Sequence, residues 1–243
     1  MIVLGIDASG WGASAAVVDE DGVRGAASAG RGARPAAILV PMVAAALASA
    51  GLPRGAVEGV AVANGPGSYA GVRAAVATAK GLAWALGLPV AAVGSLRALA
   101  CAAGPWPGPV WAAWDARRDR VYAAGHRWGA SGPEERAGEE PALRERVPFR
   151  AALRDATAAG GPCLLVGTGV GEDDLAIAGG GRLAPPVWGA GLAAAVGWLG
   201  WQELRAGRGA DAMALAPAYG SDPVLGRAPG EARGGARTPG GPA

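Results

Sequence analysis

Apolar and polar positions fall in blocks along this chain, and the lengths and periods of the blocks set the expected elements. Residues 2–6 (IVLGI) are continuously apolar, 14–18 (SAAVV) follow a Gly/Ser turn, and DEDG at 19–22 is a hairpin signal ahead of VRGAASA. The pattern predicts three consecutive strands. In ILVPMVAAALASAGL (38–52), Ile38, Leu39, Met42, Val43 and Leu47 recur at helical spacing, and Gly51 followed by Pro53 supplies a stop. VEGVAVA (57–63) reads as a strand buried on both faces, 72–87 as a helix and PVAAV (89–93) as a further strand. The order is β-β-β-α-β-α-β.

A second unit begins after the Pro/Gly cluster GPWPGP (104–109). There VWAAWD and RVYAAGH (120–126) flank the polar turn DARRDR and repeat the opening strand pair. Charged, Pro-containing residues 129–148 read as a loop or weakly ordered insert. A helix from Phe149 to Ala159, the strand CLLVG (163–167) and a helix over 191–207 complete the pattern. From Pro223 the chain is Gly, Pro, Ala and Arg with almost no large apolar residue, which predicts disorder. The expected organisation is α/β: a unit over 1–103, a smaller one over 104–222 whose helix 191–207 is free to pack back on the first, and a disordered tail, 223–243.

Composition narrows the function classes. The chain has 243 residues, 17% of them charged, and a net charge of +2, so no whole-molecule basic field exists for gripping nucleic acid, and any RNA contact has to be local. Cys101 and Cys163 lie in apolar segments without metal-ligand spacing and read as small buried hydrophobes. MIVLGID carries no basic region ahead of a long apolar run, and no stretch resembles an uncharged span, so a cytoplasmic protein without membrane contact is expected. His126 is the only histidine, at the end of a strand, where a surface or partly buried ring is expected. A histidine-based metal site, a Ser/His/Asp triad or a Cys/His pair would have to be built from that one ring.

Three motifs can carry chemistry, and each has a plainer reading beside it. Asp7 ends the first strand and is followed by ASGWGAS, which fits a hairpin turn under a metal-bound nucleotide or a simple Asp-capped turn. NGPGSYAGVR (64–73) has the form strand, glycine turn, helix. Its glycines allow close backbone approach to an anion, yet no Lys-Ser/Thr pair follows as in a Walker loop, and a sharp turn capped by Ser68 explains it as well. Asp115 closes its strand as Asp7 does, and Arg117, Arg118 and Arg120 beside it read as a solvated turn or as phosphate contacts. Asp7, Ser9, Gly65, Gly67, Ser68 and Asp115 together are the candidate nucleotide-binding set, in a cleft between two similar halves.

MIVLGIDAS…SAAVVDEDG, ILVPMVAAAL, the run VANGPGSYAGVRAAVATAKGLAWALGLPVAAVGSLRALA and AAWDARRDRVYAA, in this order, resemble the TsaB (YeaZ) family. LLVGTG (164–169) and LAPAYG (215–220) continue the match weakly. The resemblance implies an actin-like/Hsp70-like fold, of the superfamily that includes sugar kinases, built from two RNase H-like halves with mixed five-stranded sheets flanked by helices. The same glycine turn and helix occur in the catalytic paralogue TsaD. There the strand matching PVAAV is followed by two metal-holding histidines four positions apart, and the matching residues here are Ser95 and Leu99. The resemblance therefore implies the non-catalytic member, with no catalytic residue, no metal and no cofactor of its own.

By the same resemblance the chain is a scaffold in the synthesis of threonylcarbamoyladenosine on tRNA. Its implied partners are a TsaD homologue and, through it, a TsaE homologue; tRNA is met only through the complex, and whether ATP or ADP binds at the complex interface is left open. Pairing is implied through helices 36–50 and 72–86, packed as a bundle, with a homodimer of the same helices when the partner is absent. Apolar residues nearly all round both helices agree with a partner, and the expected interface is Ile38, Leu39, Met42, Ala45, Ala46, Arg73, Val76, Lys80 and Ala83. The rival expectation is an ATP-binding phosphotransferase or ATPase using Asp7, the 65–68 turn and Asp115. A metal-dependent glycoprotease ranks behind it, against Ser95 and Leu99.

Overall fold

Two mixed sheets of the same strand order are joined through one shared core. The computed structural model describes residues 1–30, 32–185 and 191–219, so the tail expected to be disordered, 223–243, lies outside the described residues. The first sheet runs β3(Gly22–Ala29), β2(Ala13–Asp19), β1(Val3–Asp7), β4(Gly59–Gly65), β5(Val90–Gly94). Its first three strands are antiparallel, and β1, β4 and β5 are parallel. In the second sheet β6(Val110–Asp115) lies between antiparallel β7(Arg120–Gly129) and parallel β10(Cys163–Val166), with β11(Gly181–Leu183) outside β10.

The second sheet holds one strand more than the expected five, because residues 129–148 are not a loop. β8(Gly132–Glu135) pairs with the far end of β7, and β9(Ala142–Glu145) pairs with its near end. The two short strands together stand where β3 stands in the first sheet. The break between them is held by Gly125, whose amide donates to the Glu139 carbonyl at 2.8 Å and whose carbonyl accepts from the Arg136 amide at 3.0 Å.

The helices sort by face. α1(Pro35–Ser49) and α2(Tyr69–Leu86) cover the outer face of the first sheet, packing on Leu4, Ile6, Ala15 and Val17. α1 starts at Pro35, which occupies a first-turn position where its missing N–H costs nothing. α2 ends at Gly87, left-handed at φ 66. α4(Arg146–Gly160) and α5(Glu172–Ala178) cover the outside of the second sheet through Phe149, Leu153 and Ala178, against Trp111 and Leu165. Between the sheets lie α3(Ser95–Ala102) and α6(Ala193–Arg205), where Leu96, Leu99, Val196 and Leu199 join Val3 and Val93 to Val110 and Leu164 in one apolar core.

α6 lies on the inner face of the first sheet at backbone distance. A Cβ on Gly5 would strike the Ala193 carbonyl and come within 2.7 Å of the Gly197 amide nitrogen, and one on Gly200 would strike Ala61. Cys163 is buried and Cys101 half-buried, both as free thiols. Among the described residues no helix is long and apolar enough to cross a membrane.

His126 is fully buried, unlike the expected surface or half-buried ring, because β7 continues past it to Gly129 and the strand pairs on both edges there. Burial, with the Arg97 charge adding to it, pushes its pKa down to about 4. The unfolded chain then takes up a proton near 6.5 that the folded chain refuses, so this group's stabilising effect is present above that pH and is lost as pH falls toward about 4. Urea unfolding at pH 5 is expected to give a stability about 2 kcal/mol below that at pH 8 from this residue. His126→Gln should flatten the pH profile by that amount whatever its own cost, and an unchanged slope would contradict the assignment.

Candidate functional site

The glycine turn after β4 is clamped from three sides. Gly65 is left-handed at φ 115 and precedes a cis peptide to Pro66. Its amide donates to Ser95 Oγ at 3.0 Å, and the Ser68 amide donates to the Ser9 carbonyl at 2.8 Å. Ser68 caps α2, its hydroxyl accepting from the Gly71 amide at 3.4 Å. A Cβ on Gly67 would strike the Ser9 carbonyl, and one on Gly71 the Ala8 carbonyl, so the turn is pressed onto the β1–β2 hairpin. Three amides that a phosphate cradle would turn outward are thus already satisfied inside the protein.

The two carboxylates that close β1 and β6 occupy matching places and different environments. Asp7 is buried, with its Oδ1 accepting from the Ser9 amide at 2.9 Å and the Ser9 hydroxyl at 2.6 Å. Burial raises its pKa, and the two bonds from Ser9 offset part of that. Asp115 is exposed, accepts from the Arg117 amide at 2.9 Å, and donates its own amide to Thr168 Oγ1 at 3.1 Å. The turn that follows is left-handed at three consecutive non-glycine residues, Arg117, Arg118 and Asp119, at φ 62, 52 and 57.

Between these turns lies a cleft of about 560 Å³ whose lining includes Ser9, Gly67, Ser68, Asp115, Arg117 and Thr168. Four of the six residues expected from sequence therefore meet there. Asp7 sits beneath Ser9, and Gly65 is sealed by the Ala218 carbonyl, which a Cβ would strike. Sequence reasoning missed the aromatic character of the cleft: Trp11, Tyr69, Trp114 and Tyr122 also line it. The Trp114 ring lies over Gly10, with Cη2 3.0 Å from where a Cβ would stand. The tryptophans in SGWG and AAWD were the visible signal.

The helix pair on the outer face has to be divided more finely than the expected interface. Leu39, Met42, Ala46, Val76 and Ala83 are turned inward, into the core of the first sheet, because the apolar stripe of each helix faces its own strands. They are corrected from interface to core residues. Ile38 is half-buried, and Ala45 and Arg73 are exposed. Lys80 is half-buried, and its ammonium donates to the Met213 carbonyl at 2.9 Å and the Leu215 carbonyl at 3.4 Å. The outward face is Val40, Ala44, Ala45 and Ala48 on α1, with Arg73, Ala77, Gly81 and Trp84 on α2; Val40 is 59% exposed, Trp84 73% and Leu86 45%. A narrow apolar cavity of about 120 Å³ opens between the helices, lined by Val40, Val43, Leu47, Leu82 and Leu86 with Arg54 at its edge.

Ser95 and Leu99 are both fully buried. Ser95 holds the glycine turn, and Leu99 packs toward Gly167, within 2.8 Å of where a Cβ there would stand.

A family model described as TsaD, tRNA N6-adenosine threonylcarbamoyltransferase, matches residues 34–140. The tRNA threonylcarbamoyladenosine biosynthesis protein TsaB of Bacillus subtilis strain 168 is 49% identical over 63 residues, 26% of this chain and 28% of that protein. The protein of the same description from Haemophilus influenzae is 41% identical over 86 residues, 35% of this chain and 36% of that protein. The matched stretches thus span about a third of these curated relatives. Among solved structures, YeaZ from Pseudomonas aeruginosa is 29% identical, with a TM-score of 0.69 over 90% of this chain and 99% of that one. A structure described as an uncharacterized protein with similarity to peptidase YeaZ from Pseudomonas aeruginosa is 30% identical, with a TM-score of 0.74 over 90% of this chain and 98% of that one. A ROK hexokinase from Thermus thermophilus, 16% identical with a TM-score of 0.51 over 85% of this chain and the whole of that one, shares the fold alone. The architecture is the actin-like one, as expected.

Asp7 permits a direct check. A carboxyl whose pKa is raised on folding stabilises fully below its unfolded value of 3.8 and loses that effect as pH rises through the folded value. Burial makes the native chain hold this proton to a higher pH than the unfolded chain does. Asp7→Asn, whose amide oxygen can still accept from Ser9, is expected to raise the unfolding free energy at pH 7 relative to the parent. A variant less stable than the parent at pH 7, measured by urea unfolding, would show that the charge is needed for the fold.

Proposed function

The chain belongs to the TsaB/YeaZ family, and from that premise we propose that it is a non-catalytic subunit in the synthesis of threonylcarbamoyladenosine on tRNA. In this reading it docks a TsaD homologue through α1 and α2 and reaches a TsaE homologue through that partner. The observation that carries the reading is the outward face of the helix pair: Val40, Trp84 and Leu86 stand in water amid alanines and a glycine. Small residues let two helix pairs approach closely, and the few large ones supply the anchors. Support also comes from the cleft side. Ser95 and Leu99 are core residues here, and the glycine turn spends its Gly65, Ser68 and Gly71 amides on Ser95, Ser9 and Ser68.

A second reading, an ATP-binding phosphotransferase or ATPase, is favoured by one observation: Ser9, Gly67, Ser68, Asp115 and Thr168 do converge on one cleft. Calorimetry with Mg-ATP on the isolated chain separates the two, the scaffold reading expecting no heat of binding and the enzyme reading expecting tight binding. The main test is co-purification of the full chain with a TsaD homologue, followed by tRNA modification from threonylcarbamoyl-adenylate. A stable complex and faster modification than with the TsaD homologue alone are expected; neither complex nor gain would overturn the proposal.

The same face yields a mutational prediction. Val40→Glu and Trp84→Glu are each expected to weaken the complex by about tenfold or more, roughly 1.4 kcal/mol, with little change in thermal midpoint because both side chains are exposed. Leu39→Ala should do the reverse, lowering stability by about 2–5 kcal/mol from its fully buried site, with partner affinity of the folded fraction kept. Pull-down titration beside thermal unfolding reads both, and equal affinity for Val40→Glu, Trp84→Glu and parent would move the interface elsewhere.

A further inference from the structure

Residues 209–219 leave the end of α6 and return across the first sheet, and their course touches the site at several named points. They begin by adding a bridge to the sheet edge, the Val90 and Ala210 backbones exchanging bonds at 2.8 and 3.0 Å. Ala212 and Leu215 then enter the core between the sheet and α2. Further on, the Ala218 amide donates to the Asn64 carbonyl at 2.7 Å, and the Ala218 carbonyl lies against Gly65, where any side chain would collide. The segment ends at Tyr219, whose ring lies 5.2 Å from that of Tyr69, and Arg73 lies over the other partner, 5.2 Å from the Tyr69 ring centre. Tyr69 lines the cleft.

One side chain from outside the segment grips its middle. Lys80, the only lysine in the chain, donates to the carbonyls of Met213 and Leu215 on either side of the exposed turn Ala212–Ala214. We propose that residues 209–219 form a strap latched by Lys80, and that its closure holds the mouth of the cleft by pinning Asn64, Gly65 and Tyr69. The strap is fastened to α2 at two places, Lys80 in its middle and Tyr69 at its start, so loosening at Lys80 is transmitted to Tyr69 through the strap itself. The outward face of α2 also reaches it: a groove of about 480 Å³ runs between Trp84 and residues 209–212. Pressure at that end of the helix is felt by the strap before it is felt by the cleft. The inference concerns the free chain and stands whether or not a TsaD homologue is the partner.

Only Ala212 and Leu215 of the strap are buried; its other residues are exposed or half-buried and several are held by backbone hydrogen bonds, which places it among the segments that open locally without global unfolding. The test is amide hydrogen exchange on the full, unliganded chain, comparing the parent with Lys80→Met and Tyr219→Ala. Lys80→Met keeps the aliphatic stem and removes the donors. It is expected to speed exchange over 213–218, including the Ala218 amide, by about tenfold, and to speed it at Gly71–Arg73 as well, with β1 and β2 unchanged. Tyr219→Ala should loosen Gly71–Arg73 while leaving the Ala214 and Leu215 amides as protected as in the parent. The proposal is overturned if Lys80→Met leaves the strap's exchange as it was, if the strap loosens with no change at Gly71–Arg73, or if β1 and β2 lose protection equally, which would make Lys80 a general stabiliser.

Discussion

Strand β1 and helix α6 touch backbone to backbone, and the rest of the molecule is arranged around that contact. Gly5 meets the Ala193 carbonyl and Gly197, and Gly200 meets the Ala61 methyl on the neighbouring β4, so neither Gly5 nor Gly200 can carry a side chain. Such closeness is available only to small residues, and it brings in the flanking apolar side chains of α6 on both sides of the crossing. Ala193 donates its amide to the buried Ser14 hydroxyl at 3.1 Å, and the Trp201 indole N–H donates to the Met1 carbonyl at 3.1 Å, fixing the helix at both ends. With α6 in place, Val196 and Leu199 present a second apolar surface on which α3 and the second sheet close. The cleft between the β1–β2 turn and the β6–β7 turn therefore depends on packing some distance away, at glycines that do not line it.

The repeat of one strand order in two sheets puts Asp7 and Asp115 at equivalent strand ends, and the packing then makes them chemically unequal. Asp7 is capped by Ser9 and covered by the glycine turn, while Asp115 looks into the cleft beside Thr168 and the left-handed Arg117–Asp119 turn. Water reaches one carboxylate and is kept from the other, and that burial raises the Asp7 pKa. A site that held a cation symmetrically would want both exposed to it. The Trp114 ring over Gly10 further narrows the polar part of the cleft, leaving a space with aromatic walls and a carboxylate at one side.

Period and punctuation made much of the fold readable. The buried strands β1, β2, β4, β6 and β10 are mostly apolar runs, and Gly22, Gly51 and Gly87 mark stops by their positive φ. What escaped was short or weakly patterned. β8 and β9 are four residues each, charged and half solvated, and pair with only part of one strand. α3 begins at the residue after β5, whose last residue, Gly94, is too brief a signal to separate two apolar segments. The harder limit was orientation. In a helix made almost wholly of alanine, valine and leucine, no stripe is polar, so Leu39 and Val40 look alike until the sheet is in place. One is then wholly buried and the other mostly in water. His126 escaped for a related reason, since only the extent of β7 decides whether its ring faces solvent.

The single lysine stands where its particular chemistry is needed. Among 22 basic residues the chain uses arginine everywhere except position 80, and there the target is a pair of backbone carbonyls, Met213 and Leu215, on one short turn. A guanidinium is a planar fork suited to a carboxylate, and Arg127 turns two of its donors, Nε and Nη2, on Glu134 Oε2 at 3.1 and 3.0 Å. Two carbonyls that belong to different peptide planes do not present that geometry. A compact ammonium with three donors free to rotate can meet both, and its half-buried stem covers apolar surface on the way. The strap is thus held by a point charge on neutral dipoles, with no counter-carboxylate in the contact among the described residues. Such an attachment fixes direction less strictly than a fork does, and it can slide or part in small steps while the core beneath it stays whole.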